Sequence, residues 1–382
     1  MEKLYRVEKD FLGEKKIELN KYYGIQTLRA KENFDITKTD ISLFPSFIKA
    51  LAKVKKASAL TNHELGDLTD IQKDAIVQAC NEIIDGKLHD QFIVDPIQGG
   101  AGTSTNMNAN EVIANRALEI LGHPKSSYDI IHPNNHINMS QSTNDVYPTA
   151  IKITLYELIF KLKDSLRFLR DCFEEKAIEF KDVLKMGRTQ LQDAVPMTLG
   201  QEFKTFAVMI DADIYRLKKV QALLKEVNLG ATAIGTGINT KASYQRKVIT
   251  NLREVTGVDY VSAGDLIEAT QDTGSFVHIS GMLKSVAIKI SKICNDLRLL
   301  SSGPRAGFNE INLPPLQPGS SIMPGKVNPV MPEVVNQVAF EVIGADMTIA
   351  MASEHGQLQL NVFEPLIAYK LFNSIINTAF AL

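Results

Sequence analysis

Three long stretches of the chain carry apolar residues at alternating spacings of four and three. This heptad pattern predicts amphipathic helices that pack lengthwise against other helices. Each stretch covers about 25 residues or more, which at ~1.5 Å per residue corresponds to helices of roughly 35 to 45 Å. The apolar positions are Ile151, Leu155, Leu158, Leu162, Leu166, Leu169 and Phe173; Leu199, Phe203, Phe206, Ile210, Ile214, Leu217, Val220 and Leu224; and Ile279, Leu283, Val286, Ile290, Ile293, Leu297 and Leu300.

Two further helical stretches, at residues 329–354 and 361–382, extend this part of the chain to a bundle of about five helices. We assign it to a central domain at residues 142–382, with apolar faces wide enough to pack against other copies. The last helix remains apolar to Leu382 and shows no glycine, basic turn or proline that would end it. We therefore expect that this helix is cut short.

The amino-terminal residues have shorter helical patterns, at positions 44–64, 71–87 and 107–121, separated by loops rich in glycine, asparagine and proline. They predict a smaller, mainly helical domain at residues 1–141. Periodicity thus favours a mainly all-α fold with little β structure.

Composition narrows the classes of function. The formal net charge of the 382-residue chain is −2, without a long run of one sign, which argues against nucleic acid or an anionic membrane as a partner. The amino terminus is charged rather than apolar, and no window has the ~18 apolar residues of a membrane span. Cys80, Cys172 and Cys294 lack the spacing of a disulfide framework or a zinc site. These features predict a cytoplasmic protein.

Four polar loops lie between the predicted helices, where rigid scaffolds often hold functional residues. Residues 99–106 offer glycine amides and hydroxyls that suit an anion, and residues 140–145 place hydroxyls and an amide before a long helix. The first loop could equally be a simple helix cap, and the second, taken alone, is more often a cap than a binding site.

The third loop, residues 187–196, is interpreted as a polar turn between two helices in which Arg188 pairs with Asp193. The fourth, residues 319–329, combines glycines, prolines and adjacent serines with Lys326 and Asn328. Glycine allows movement and close approach, a serine can transfer a proton, and a lysine can bind a carboxylate. This combination favours a flexible catalytic loop.

His132 and His136 have the spacing of a helical metal-binding pair. Pro133 and the two asparagines that follow it predict a loop instead, and no carboxylate completes a ligand set. We therefore predict no metal site here.

Taken together and in this order, the four loops and the opening segment at residues 22–27 resemble the aspartase/fumarase superfamily over nearly the whole chain. The resemblance implies elimination of ammonia from L-aspartate to give fumarate. It also implies a homotetramer in which each active site takes loops from three subunits, and a small carboxyl-terminal domain after the bundle, which we expect to be absent from this sequence. No cofactor is required by this chemistry, and activation by a divalent metal is left open.

The resemblance also implies roles for individual residues. Ser320 would be the general base that removes the proton from Cβ. The remaining roles fall to side chains that hold the substrate: Lys326, Asn328 and Thr189 at the α-carboxylate, Thr103, Ser142, Thr143 and Ser321 at the β-carboxylate, and Asn144 at the amino group.

Removing a proton beside a carboxylate places a second negative charge on that group. A dense set of hydroxyl and amide donors stabilises this aci-carboxylate as an oxyanion hole does, each donor contributing ~10²- to 10³-fold in rate. The sequence thus supplies the groups that the reaction needs.

The sequence departs from relatives at three positions. Gln190, which we place among the substrate-binding residues, stands where fumarases have a histidine that acts in acid chemistry, so ammonia is favoured as the leaving group. Glu333 lacks that histidine partner, and Asn135 replaces an aspartate associated with a second anion site. A class II fumarase and a catalytically silent helical scaffold remain the alternative functions.

Overall fold

The computed structural model describes residues 4–382, and in these residues the protein is mainly helical, as predicted. The helices are α1 (Ile25–Asn33), α2 (Pro45–Glu64), α3 (Asp70–Ile84), α4 (Thr103–Ile120), α5 (Thr143–Glu179), α6 (Leu199–Gln221), α7 (Tyr244–Thr256), α8 (Leu266–Gln271), α9 (Gly274–Leu300), α10 (Val330–Glu354) and α11 (Glu364–Ala381).

Short strands form two-stranded sheets. In two antiparallel hairpins, β1 (Tyr5–Asp10) pairs with β2 (Gly13–Glu18) and β3 (Leu184–Thr189) with β4 (Gln192–Thr198). A two-residue parallel pair joins β5 (Glu226–Val227) to β6 (Val261–Ser262).

Local sequence explains where several helices begin. Thr69 caps α3 and Thr198 caps α6, each in a reciprocal box with the glutamine three residues later. Pro45 occupies the first turn of α2, where its missing N–H has no cost in helix hydrogen bonds. The starts of these helices agree closely with the predicted patterns.

The chain folds into two compact units, each assembled from segments that are separated in sequence. Of the described residues, unit 1 contains 4–157, 223–276 and 349–370. Its centre is α2, which packs against α3 and α7 and buries Phe47, Ile48 and Leu51 almost completely. Residues far apart in sequence meet here, since the Asn251 amide donates to Thr61 Oγ1 at 2.9 Å.

Unit 2 contains residues 158–222, 277–348 and 371–382, and thus parts of α5, α6, α9, α10 and α11. The rings of Phe173, Phe203 and Phe206 pack edge to face or tilted between α5 and α6, with centroids 5.6 to 6.1 Å apart. Asn336 of α10 donates to Ser291 Oγ of α9 at 2.8 Å. The five predicted long helices thus all contribute to this bundle.

The two units do not follow the predicted division between residues 141 and 142. Helix α5 supplies residues to both units, and two later segments return to unit 1. The division into domains at 1–141 and 142–382 stays a prediction.

Helix α10 is unusual in its exposed apolar residues. By length and composition it could cross a membrane, and only 33% of its most apolar window is buried. Phe340 is 61% exposed and Met347 is 65% exposed. Exposed apolar surface of this kind marks a site of interaction with another protein or with a membrane.

Candidate active site

Thr103 is the first residue of α4 and is exposed at the helix amino terminus. The preceding glycines make this entry possible, because Gly100 and Gly102 have φ of +92° and +91°, in the region that side chains disfavour. Gly102 also lies against the ring of Tyr147, where an added Cβ would be 2.4 Å from Cδ2. The chain therefore turns sharply and presents the Thr103 side chain at the amino terminus of α4, while its backbone N–H donates to the Gly100 oxygen at 3.0 Å.

The three predicted binding residues 142–144 lie together at the start of α5. Ser142 Oγ accepts from the backbone N–H of Asn144 at 3.2 Å, and Thr143 Oγ1 accepts from the Asn106 amide at 3.0 Å. Asn106 lies three residues after Thr103 on α4, so both point to the same face of that helix. Unit 1 thus brings Thr103 and residues 142–144 to neighbouring elements.

The Asn144 side chain has a fixed orientation. Its amide nitrogen donates to the backbone oxygen of Ala233 at 2.7 Å, while Asn228 donates to the backbone oxygen of Asn144 at 3.0 Å. The amide oxygen of Asn144 is consequently the atom left to receive a donor, which suits an ammonium group.

The buried carboxylate of Asp145 holds this loop in place. It is fully buried, and its carboxylate accepts from the backbone N–H groups of Ser142, Gly230 and Thr232 at 2.9 to 3.1 Å. Burial raises the pKa of Asp145 to about 6, although these N–H donors and the nearby Lys55 oppose the rise. Asp145 therefore joins the 142–144 segment to the loop at residues 230–232.

Lys55 is also fully buried, and its Nζ donates to Asn138 Oδ1 and Gln141 Oε1, both at 2.9 Å. Burial lowers the pKa of Lys55 to about 7, against the attraction of Asp145. The loop before Thr143 is thus held by a buried cation and two side-chain amides.

In unit 2, Thr189 and Gln190 lie at the tip of the β3–β4 hairpin, so the predicted turn between two helices was wrong. Gln190 and Leu191 form the two-residue connection with φ of +54° and +62°. A turn with two left-handed residues matches the twist of a hairpin but normally uses asparagine and glycine. Such strain in larger residues is concentrated at functional sites.

The expected pairing of Arg188 with Asp193 was also wrong at the level of side chains. The two residues are partners in the backbone register, but the Arg188 guanidinium forms an ion pair with Glu310 and lies 4.6 Å from the centre of the Phe308 ring. Glu310 also lies 3.3 Å from Lys185 Nζ. The hairpin is therefore anchored to the segment that follows α9.

The fourth loop closes on itself around Ser320. The Gly319 N–H donates to the Lys326 backbone oxygen at 2.8 Å, and the Asn328 amide donates to the Gly319 oxygen at 2.7 Å. Ser320 Oγ accepts from the backbone N–H groups of Ile322 and Met323, at 3.2 and 3.0 Å. Two such donors stabilise negative charge on this oxygen, as a base requires.

The remaining residues of this loop face solvent or a cavity. Ser321 is exposed, and within residues 4–382 the Lys326 ammonium has no carboxylate partner. Lys326, Asn328 and Glu333 line a cavity of about 670 Å³. Gln190 instead lines a separate cavity of about 340 Å³ that also contains Lys185 and Arg188. Both cavities belong to unit 2.

His132 and His136 each accept a backbone hydrogen bond through a ring nitrogen and so stabilise their own loop. His132 Nδ1 accepts from the backbone N–H of Asn134 at 3.0 Å, and His136 Nδ1 accepts from the backbone N–H of His132 at 2.8 Å. In the described part of the chain, no cluster of three or more histidine, cysteine, aspartate or glutamate residues is placed to hold a metal ion.

Sequence reasoning missed Lys55, Asn106, Asn138 and Asp145 as parts of the site. A signal was present, because Lys55 falls on the apolar face of α2 with Ile48, Leu51 and Ala52, where a lysine needs a buried partner. The asparagines of α4 recur at one-turn spacing on a buried face, which is also unusual.

Comparison with known proteins identifies the family. A family model described as lyase matches residues 13–344. The chain belongs to this lyase family. Aspartate ammonia-lyases from Helicobacter pylori and Escherichia coli K12 are 62% and 57% identical to it over 371 residues, which cover 97% of the chain and 79% and 78% of those proteins.

Solved structures of lyases share the fold. A fumarate lyase/delta crystallin from Brucella melitensis, bound to cobalt, is 56% identical with a TM-score of 0.97. A class II fumarase from Schistosoma mansoni is 35% identical with a TM-score of 0.95. Each match covers 99% of the chain and 82% of the other protein.

Proposed function

We propose that this lyase is an aspartate ammonia-lyase, which reversibly eliminates ammonia from L-aspartate to give fumarate. The observation that carries this choice is Gln190 at the hairpin tip, a neutral amide with no proton to transfer. The names of the relatives at 57 to 62% identity support the same reaction.

The leaving group explains why a neutral amide suffices. The amino group of aspartate is already an ammonium, so breaking the Cα–N bond releases neutral ammonia without a further proton. Hydroxide leaving from malate would need a general acid. The free amide oxygen of Asn144 supports this assignment, because an ammonium group is a donor that needs an acceptor.

In the proposed mechanism, Ser320 takes the Cβ proton as an alkoxide stabilised by the N–H groups of Ile322 and Met323. The electron pair passes into the adjacent carboxylate to form the aci-carboxylate, then forms the double bond as ammonia leaves. The other predicted residues act by binding: Thr103, Ser142, Thr143 and Ser321 at the β-carboxylate, and Thr189, Lys326 and Asn328 at the α-carboxylate.

We further propose that the protein is a cytoplasmic homotetramer whose active sites take loops from three copies. The exposed apolar residues of α10, including Phe340, Ile343 and Met347, support an interface between copies. Light scattering should give the mass of a tetramer. Met347→Glu should lower that mass, whereas a charge at the exposed but polar position Glu341, as Glu341→Lys, should not.

The reaction is tested by following fumarate absorbance with L-aspartate, L-malate and argininosuccinate offered separately. Fumarate should form from L-aspartate alone. Formation from L-malate would support the class II fumarase, and no product from any of the three would support a silent scaffold.

A further inference from the structure

Thr143 and five polar side chains behind it form one directional network of hydrogen bonds. All belong to unit 1. For each of them, a neighbouring group determines whether a nitrogen or an oxygen takes part in the hydrogen bond. The members are Lys55, Asn106, Asn110, Asn138, Gln141 and Thr143.

The orientation of the Asn138 amide determines the direction in which these hydrogen bonds run. Its amide nitrogen donates to the backbone oxygen of Gln141 at 3.2 Å, and a backbone oxygen can only accept. The Asn138 amide oxygen must therefore face the interior. There it accepts from Lys55 Nζ at 2.9 Å, which agrees with that orientation because a lysine ammonium only donates.

Asn106 transmits this direction to Thr143. Its amide nitrogen donates both to Asn138 Oδ1 at 3.1 Å and to Thr143 Oγ1 at 3.0 Å, so both amide hydrogens are used. Turning the amide over would place two carbonyl oxygens against each other. Among the described residues, the buried amide oxygen of Asn106 has no hydrogen-bond partner, so no group there favours the reverse orientation.

The orientation of the Asn106 amide determines where the hydrogen of the Thr143 hydroxyl can point. It accepts on its inner side, and within residues 4–382 the Asn106 amide is its one side-chain partner. Its single hydrogen is therefore free to point toward a ligand. Thr143 is only 8% exposed, so water competes little for that hydrogen.

We propose that Asn106 is a positioning residue that makes Thr143 a dedicated hydrogen-bond donor to a substrate carboxylate. The inference rests on the proposed function, which places the β-carboxylate at Thr143. An anion that gains a second charge during the reaction requires donors aimed at it before the charge develops.

The test replaces the donating amide of Asn106 with a carboxylate of nearly the same shape, which accepts hydrogen bonds. In Asn106→Asp the carboxylate accepts, so the Thr143 hydrogen turns inward and kcat/KM for L-aspartate should fall by ~10²-fold, as for loss of one oxyanion donor. In Asn106→Leu the site is apolar and leaves the hydroxyl free to rotate, so the fall should be smaller. A purely structural role predicts the opposite order, because leucine removes every hydrogen bond.

A double-mutant cycle with Thr143→Val gives the sharper result. Thr143→Val should lower kcat/KM strongly in the wild type, less in Asn106→Leu, and by less than about 2-fold in Asn106→Asp, where the hydroxyl already points away. Equal losses in all three backgrounds would overturn the proposal. If Asn106→Asp does not fold, the comparison of wild type with Asn106→Leu decides it: without the Asn106 donor the hydroxyl is no longer held toward the substrate, so Thr143→Val should cost less in Asn106→Leu than in the wild type, and equal losses would overturn the proposal.

Asn108→Asp is the matched control, because Asn108 is equally buried on α4 but bonds to the backbone of Gln91 and Ile93. It should lower stability without altering the effect of Thr143→Val. The same double-mutant cycle can be measured from fumarate affinity by calorimetry, which does not require turnover. A wild type that binds fumarate but does not convert L-aspartate would refute the proposed function alone, whereas a Thr143→Val variant with unchanged affinity and turnover would refute this inference alone.

Discussion

Gly102→Ala tests how tightly the entry to α4 is packed. The substitution adds a Cβ at φ +91°, which costs about 1 to 2 kcal/mol for a residue with a side chain. The same Cβ would be 2.4 to 2.6 Å from three atoms of the Tyr147 ring. That ring is buried and packs edge to face on Phe47 with centroids 5.4 Å apart, so it cannot move aside freely.

Overpacking of this kind costs a further 1 to 3 kcal/mol or so, which gives a total of about 2 to 5 kcal/mol. Gly100→Ala is the matched control, because Gly100 has φ +92° but meets only Thr103 Cβ at 3.9 Å. Urea unfolding followed by circular dichroism should show a larger fall in midpoint for Gly102→Ala than for Gly100→Ala. Equal midpoints for the two variants would mean that the Tyr147 contact carries no energy.

Four further substitutions address the site. Ser320→Ala should lower kcat by at least ~10²-fold in a folded protein, and near-normal turnover would remove Ser320 from the mechanism. Lys326→Ala should weaken substrate binding by ~2 to 5 kcal/mol, seen as a higher KM for L-aspartate, and an unchanged KM would contradict its role. The folded pKa of Asp145, about 6, lies above its ordinary value of 3.8, so its stabilising contribution is present below about pH 4 and is lost as pH rises to about 6. The stability of the wild type relative to Asp145→Asn should therefore fall by up to about 3 kcal/mol over that window in urea titrations, and a constant difference would contradict the burial argument. Glu310→Gln should lower the free energy of local opening of the β3–β4 hairpin by about 1 to 2 kcal/mol. Trypsin should then cleave after Arg188 roughly 5- to 30-fold faster. An unchanged cleavage rate would show that the ion pair does not hold the hairpin.

The long helices could be predicted because their apolar positions repeat over many turns, as from Leu199 to Leu217 in α6, where local pattern and tertiary packing agree. The loops could be assigned to a site because their residue types suit anions and proton transfer. These features are local in sequence.

The β3–β4 hairpin could not be predicted in the same way. Strand β4 is largely exposed, and neither strand keeps the alternation of apolar and polar residues over its whole length. Gln190 and Leu191 are also not the residues that signal a tight hairpin turn. Its anchor, Glu310, lies more than one hundred residues further along the chain. A turn stabilised by a distant ion pair gives no local signal.

The buried support of Thr143 was missed for a related reason. Lys55 and Asn138 are 83 residues apart in sequence, and Asn106 and Thr143 are 37 apart. Only the folded arrangement shows that each polar group on an apolar helix face meets a partner.

The interleaved composition of unit 1 has a consequence for how the protein is made. Its contacts join residues on either side of two long insertions, as when the ring of Phe44 packs against Tyr369 of α11. A ribosome releases the chain from one end, so this unit stays incomplete while more than two hundred residues after Glu157 are added, which takes roughly 10 to 40 s at ~5 to 20 residues per second. During that time the apolar faces of α2 and α5 lack the segments that will cover them. The packing of unit 1 can therefore be completed only late in translation.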